Sequence, residues 1–130
     1  MYMNEKDKNM RQDKINRAFR SLSKLRDLSL PVKKARAIYK LYVAIEEAYN
    51  FAAEEEKKYL IEFHGTLMPD GSINFKSQED CEAFKAKFDE LCGIETEVEF
   101  EPVVLTDDDI GDQPITPGDI FNLEGFVIFE

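Results

Sequence analysis

Between Pro31 and about His64, apolar residues recur on a 3-4-3-4 spacing: Ala35, Ile38, Tyr42, Ile45, Tyr49, Ala52, Tyr59 and Phe63, broken only at Glu56. A seam of that period, held over about four heptads, marks a long helix with one packed face. At 1.5 Å per residue it would reach roughly 50 Å, longer than most helices in small domains. It needs partners along its whole length. Ahead of it, Ile15, Ala18, Phe19, Leu22 and Leu25 share one face of a helix predicted from about Met10 to near Leu28. The link Leu28-Ser29-Leu30-Pro31 is short, and proline suits the first turn of the helix that follows. The two helices are therefore expected to be antiparallel neighbours.

A first helix of roughly 28 Å can cover only half of the long one. A third helix is predicted to meet the rest. Ser77 is its N-cap, Cys81, Phe84, Phe88 and Leu91 are its packed face, and Gly93 is its C-cap. A second copy of the chain is the competing partner for the seam. The turn Pro69-Asp70-Gly71 suggests a small hairpin, Thr66–Met68 against Ser72–Asn74. Thr96, Val98 and Phe100 then alternate with Glu95, Glu97, Glu99 and Glu101, the pattern of a strand with one apolar and one acidic face. Thr106 to Gln113 reads as an acidic loop. Thr116 and Pro117 open a helical turn, and the apolar end Gly125–Glu130 reads as a strand pairing with residues 96–104. The expected fold class is α+β: a long antiparallel helical hairpin, a third helix and a small antiparallel β element near the C-terminus. Residues 1–9 are expected to be a disordered charged start, and 10–130 a single domain.

Charge divides the chain. Residues 1–42 hold twelve Lys/Arg and four Asp/Glu, whereas the remainder holds five and twenty-three. The basic part is expected to lie against the acidic part, so that the two fields partly cancel. The sharper alternative is a basic face made of Lys14, Arg17, Arg20, Lys24, Lys33, Lys34 and Arg36 that meets a partner. Nucleic acid is the weaker choice of partner, because the acidic excess elsewhere would repel phosphate.

Catalytic and metal-binding patterns find little support. His64 is the single histidine, at the end of the long helix, where the dipole favours it. Cys81 and Cys92 lie eleven residues apart in one predicted helix, hence roughly 16 Å apart along its axis, too far for a disulfide. Both are expected to be reduced and mostly buried. Asp107-Asp108-Asp109-Ile110-Gly111-Asp112 fails the calcium-loop pattern, which needs an acid or amide where Gly111 stands and glutamate where Gly118 stands. The six glycines stand singly, so there is no phosphate-cradling loop. Tyr42 and Tyr49 read as core residues with hydroxyls at the rim. No cofactor, metal or enzymatic activity is expected. No apolar run is long enough to span a membrane, and the first residues carry no apolar leader, so the expected setting is the cytoplasm.

Several stretches carry a resemblance. Leu22-x-x-Leu25-x-x-Leu28-x-Leu30 leads into Lys33-Lys34-Ala35-Arg36-Ala37, the Asp70-Gly71 turn runs to Asn74-Phe75, and Phe88-Asp89-Glu90-Leu91 precedes the acidic strand. Together these resemble a group of small proteins from phages and prophages of Gram-positive bacteria. The resemblance covers roughly residues 15–130 and implies a virion-assembly or phage accessory role, with no catalytic residues to carry over. Members of that group often begin with a strand, whereas this chain begins with a charged segment. The function expected is a non-enzymatic interaction protein that meets a protein partner or a second copy of itself. A nucleic-acid-binding accessory protein is the alternative.

Overall fold

The computed structural model describes residues 9–130. The order is β1 (Asn9–Arg11), α1 (Gln12–Leu25), α2 (Val32–Glu62), β2 (Thr66–Leu67), β3 (Ile73–Asn74), α3 (Gln78–Cys92), β4 (Glu95–Glu97), β5 (Val103–Leu105), α4 (Asp107–Ile110), α5 (Pro117–Asn122) and β6 (Val127–Phe129). The composition is mixed α and β. Asn9, expected in a disordered start, instead stands in β1. The other residues of that expected segment lie outside the described ones.

The core is built around α1. Ile15, Ala18, Leu22 and Leu25 are fully buried on one face, and Ile38, Leu41 and Ile45 of α2 meet them. Phe19 stacks on Tyr49 with ring centroids 4.2 Å apart and lies 4.7 Å from Tyr42. The expected seam of α2 shifts at its start: Ala35 is exposed and Leu41 is buried instead. Ile38, Ile45 and Ala52 stay buried at seven-residue intervals, and Leu41 takes the inner place beside a half-buried Tyr42. Farther along α2, Ala52 is buried and α3 contributes Phe84 and Leu91. The Ser77 hydroxyl accepts from Asp80 N–H at 3.1 Å, as an N-cap should. Gly93 ends α3 with φ of −88°, so its place needs no glycine-specific backbone.

The strands differ most from expectation. β1 pairs antiparallel with β4, Met10 opposite Thr96. β5 pairs with β6 in parallel register, Val103 opposite Val127 and Leu105 opposite Phe129. The C-terminal strand was expected to pair antiparallel. Parallel strands need a crossover of a dozen or more residues. Residues 106–126 supply it with α4 and α5, where the acidic stretch had suggested a plain loop. Each short helix carries a full capping box, Thr106 with Asp109 and Thr116 with Asp119. The chain returns with Phe126 fully buried and stacked on Phe100 at 4.9 Å. The small hairpin β2–β3 forms where the turn predicted it, with Leu67 opposite Ile73. Gly71 takes φ of +89° there, a conformation that glycine adopts without a Cβ clash.

Candidate functional site

The seven basic residues proposed as one face are divided by the fold among several surfaces, with Lys14 and Arg17 together, beside Arg11, at a cavity of about 390 Å³ lined also by Asp13 and Glu95. Lys24 pairs with Asp119 at 3.2 Å. Lys34 reaches Asp109 at 3.7 Å and donates to the Val104 carbonyl. Arg17 lies 3.8 Å from Asp13 and sits over the Phe121 ring at 6.0 Å. Lys14 packs beside Gly125, where an added Cβ would stand 3.4 Å from its Nζ. Arg20 points toward the other side, lining a crevice with Glu56 and Phe88. Lys33 and Arg36 remain together, joined by Lys40, on an exposed flank of α2.

Asp119 is the most deeply buried of the acids paired with this set. It is buried, and its Oδ1 accepts from the Ser21 hydroxyl at 2.9 Å as well as from Lys24. Its Oδ2 accepts from Thr116 N–H at 3.2 Å, and Asn122 donates to the Ser21 hydroxyl at 3.1 Å. Burial alone would push this carboxyl up; the Ser21 hydrogen bond, the Thr116 N–H and Lys24 together hold it below the ordinary carboxylate value. Every group is satisfied within the fold. It is a structural tie between α1 and α5.

The flank bearing Lys33, Arg36 and Lys40 borders a groove. Its other wall is the chain from Glu99 to Val103, and its volume is about 470 Å³. A second groove of about 350 Å³ continues it past Ala44, between Glu47, Ala48 and Phe51 of α2 and Thr96, Glu97 and Val98. Three alanines, Ala37, Ala44 and Ala48, keep the helix side low, since none carries bulk beyond Cβ. The strand side presents an edge. Gln12 N–H donates to the Ile94 carbonyl at 2.8 Å, one step beyond the Arg11–Glu95 pair. Bonded and non-bonded pairs alternate in an antiparallel ladder, so Met10 and Thr96 exchange bonds. Glu95 and Glu97 then turn their N–H and C=O groups away from β1. Among the described residues no ion pair crosses from Lys33, Arg36 or Lys40 to Glu99 or Glu101.

Charge is graded along the groove. At the Phe51 end both walls are acidic, with Glu47 facing Glu97; at the Val103 end three cations face Glu99 and Glu101. Gln12, fully buried, ties the Phe51 end together: its Nε2 donates to Ala48 O at 2.9 Å, and its Oε1 accepts from Thr96 Oγ1 at 3.3 Å. No site was expected at Gln12 or at the three alanines. The alanines recur at seven and four residues, on a line beside the core seam, and that spacing was the signal available.

The remaining candidates take ordinary places. His64 stands beyond the end of α2 with φ of +57°, its Nδ1 3.3 Å from Asp80 Oδ2. Cys81 and Cys92 are free thiols, half-buried. Burial, with Asp13, Asp89 and Glu56 nearby, pushes the Cys92 thiol up, away from the reactive thiolate. Among the described residues no cluster of His, Cys, Asp and Glu could hold a metal ion, and no helix is long and apolar enough to cross a membrane. Comparison with family models, with curated protein sequences and with solved structures gives no match.

Proposed function

We propose that this chain is a non-enzymatic interaction protein, acting through the groove between α2 and residues 95–103. The observation that carries the reading is the pairing of a strand edge with a low, alanine-lined helix face under walls of graded charge. A surface of that kind suits polypeptide. Phosphate suits it poorly, because Glu99 and Glu101 stand opposite Lys33 and Arg36 in the groove, and the other proposed pair that shares a cavity, Lys14 and Arg17, lies there with Asp13 and Glu95. The helical hairpin expected from the sequence, α1 folded back along α2, is the scaffold of this reading. Contacts that run from Gln12–Ala48 through Phe19–Tyr42 to Arg26–Tyr42 support it. The resemblance to phage and prophage proteins favours an assembly or accessory role, in the host cytoplasm or on a virion.

A photoreactive residue placed at Ala44 tests the reading, with the exposed Ala86 on α3 as the control position. Irradiation in cells that express the chain is expected to give discrete protein adducts from position 44 and none of the same size from position 86. Identical adducts from both, or none from position 44, would remove the groove as the interacting surface.

A further inference from the structure

The groove has the geometry for strand addition, and its charges say which strand. Resting on the interaction reading above, we infer that it takes an extended peptide laid parallel to residues 97–102, basic at its N-terminal end and carboxylate-bearing at its C-terminal end. Small apolar residues fill its alternate inward positions.

Glu97 offers its N–H and C=O on the edge facing away from β1, and Glu97 itself lines the groove. An added strand satisfies such groups by main-chain hydrogen bonds, and alternate side chains supply the selectivity. Main-chain pairing is offered at Glu97, the last residue of β4, and from there the groove runs past the chain to Val103, a length that an extended peptide of about six residues at roughly 3.3 Å each would match. Inward side chains of the peptide would rest on Leu41, Ala44 and Ala48, beside buried Val98. Alanine at two of those three positions leaves room for Val or Ala on the peptide and no deep pocket for an aromatic ring.

Charge then fixes direction. At the Phe51 end a positive group would lie between Glu47 and Glu97. At the Val103 end Lys33, Arg36 and Lys40 form a cationic corner for a carboxylate, either a side chain or a chain terminus. A peptide running parallel to residues 97–102 places its N-terminus at the first and its C-terminus at the second. The reverse orientation sets like charges together at both ends. A second copy of the chain is disfavoured as the occupant. Edge-to-edge pairing of two copies through residues 95–101 would put Glu95, Glu97, Glu99 and Glu101 beside their counterparts, and like charges on facing strands repel.

Two fluorescein-labelled peptides decide the matter: Lys-Val-Ala-Val-Thr-Asp and its reversed sequence Asp-Thr-Val-Ala-Val-Lys, titrated into the whole chain and followed by anisotropy. The first is expected to bind at least tenfold more tightly, and amide shifts on binding are expected at Glu97, Glu99 and Ala44. A charge-exchanged variant (Arg36→Glu, Lys40→Glu, Glu47→Lys, Glu97→Lys) is expected to reverse the preference. That outcome also shows that the variant is folded. The inference is overturned if neither peptide binds below about 1 mM, if the two bind alike, if the reversed one is preferred by the unaltered chain, or if the shifts lie elsewhere. A dimer in light scattering that the exchanged variant abolishes also overturns it, since the groove would then hold a second copy. Adducts at position 44 together with failed peptide binding would leave the interaction reading standing and remove the extended-peptide inference alone.

Discussion

Asp119 shows how a single residue reconciles the two charge populations. Its carboxylate is buried, capped and paired, and it ties Ser21 and Lys24 of α1 to the first turn of α5. Replacing it with alanine removes a charged hydrogen-bonding partner and a capping contact. The expected loss is about 2–3 kcal/mol of unfolding free energy in urea. Asn in its place should restore part of that, because it keeps an acceptor for Ser21. Asp13, Asp109 and Asp119 are all held below the ordinary carboxylate value. Such groups bind protons more readily in the unfolded chain. The stability they contribute is therefore full at neutral pH and is lost as pH falls through the ordinary range toward their folded values. Urea midpoints measured from pH 7 downward should fall over that interval, and Asp119→Ala should flatten the slope. An unchanged slope would mean that Asp119 is not the coupled group. Gln12, buried with both ends of its amide engaged, is the second such residue; Gln12→Leu is expected to cost about 1–3 kcal/mol by removing its bonds to Ala48 O and Thr96 Oγ1.

At the scale of elements, the helices were legible and the strand pairing was not. Ser77, Thr116 and Pro117 announced their helix starts because capping is local, and each stands where it was placed. The Gly71 turn was equally local. Nothing local distinguishes a C-terminal strand that pairs with residues 103–105 in parallel from one that pairs antiparallel with residues 96–104. That choice is made by Phe126 stacking on Phe100 and by a crossover whose two short helices were hidden in acidic sequence. Those acids look like a solvated loop until Thr106 and Asp109 are seen to cap each other. The groove was illegible for a related reason. Alanines beside a seam read as filler, and the edge they face lies some fifty residues away in the chain. Phe126→Ala tests the element-level account. It should cost about 3–5 kcal/mol, and hydrogen exchange should speed up in both β5 and β6. A loss confined to β6 would contradict the shared packing.

For the molecule as a whole, the division of charge is partly absorbed inside the fold. Lys24 and Lys34 are held by Asp119 and Asp109, Arg17 is shared with Asp13, and Arg20 faces away from the rest. What is left is a corner of Lys33, Arg36 and Lys40 opposite glutamates, and a second group, Arg11, Lys14 and Arg17, beside Asp13 and Glu95. The central proposal is that the basic residues serve the fold and a polypeptide-binding groove. Its most direct test is the anisotropy of a labelled DNA duplex and a labelled single strand, titrated with the whole chain at about 50 mM and about 200 mM salt. The account predicts no binding by either oligonucleotide at either salt. Binding at low salt that weakens steeply as salt rises would contradict it.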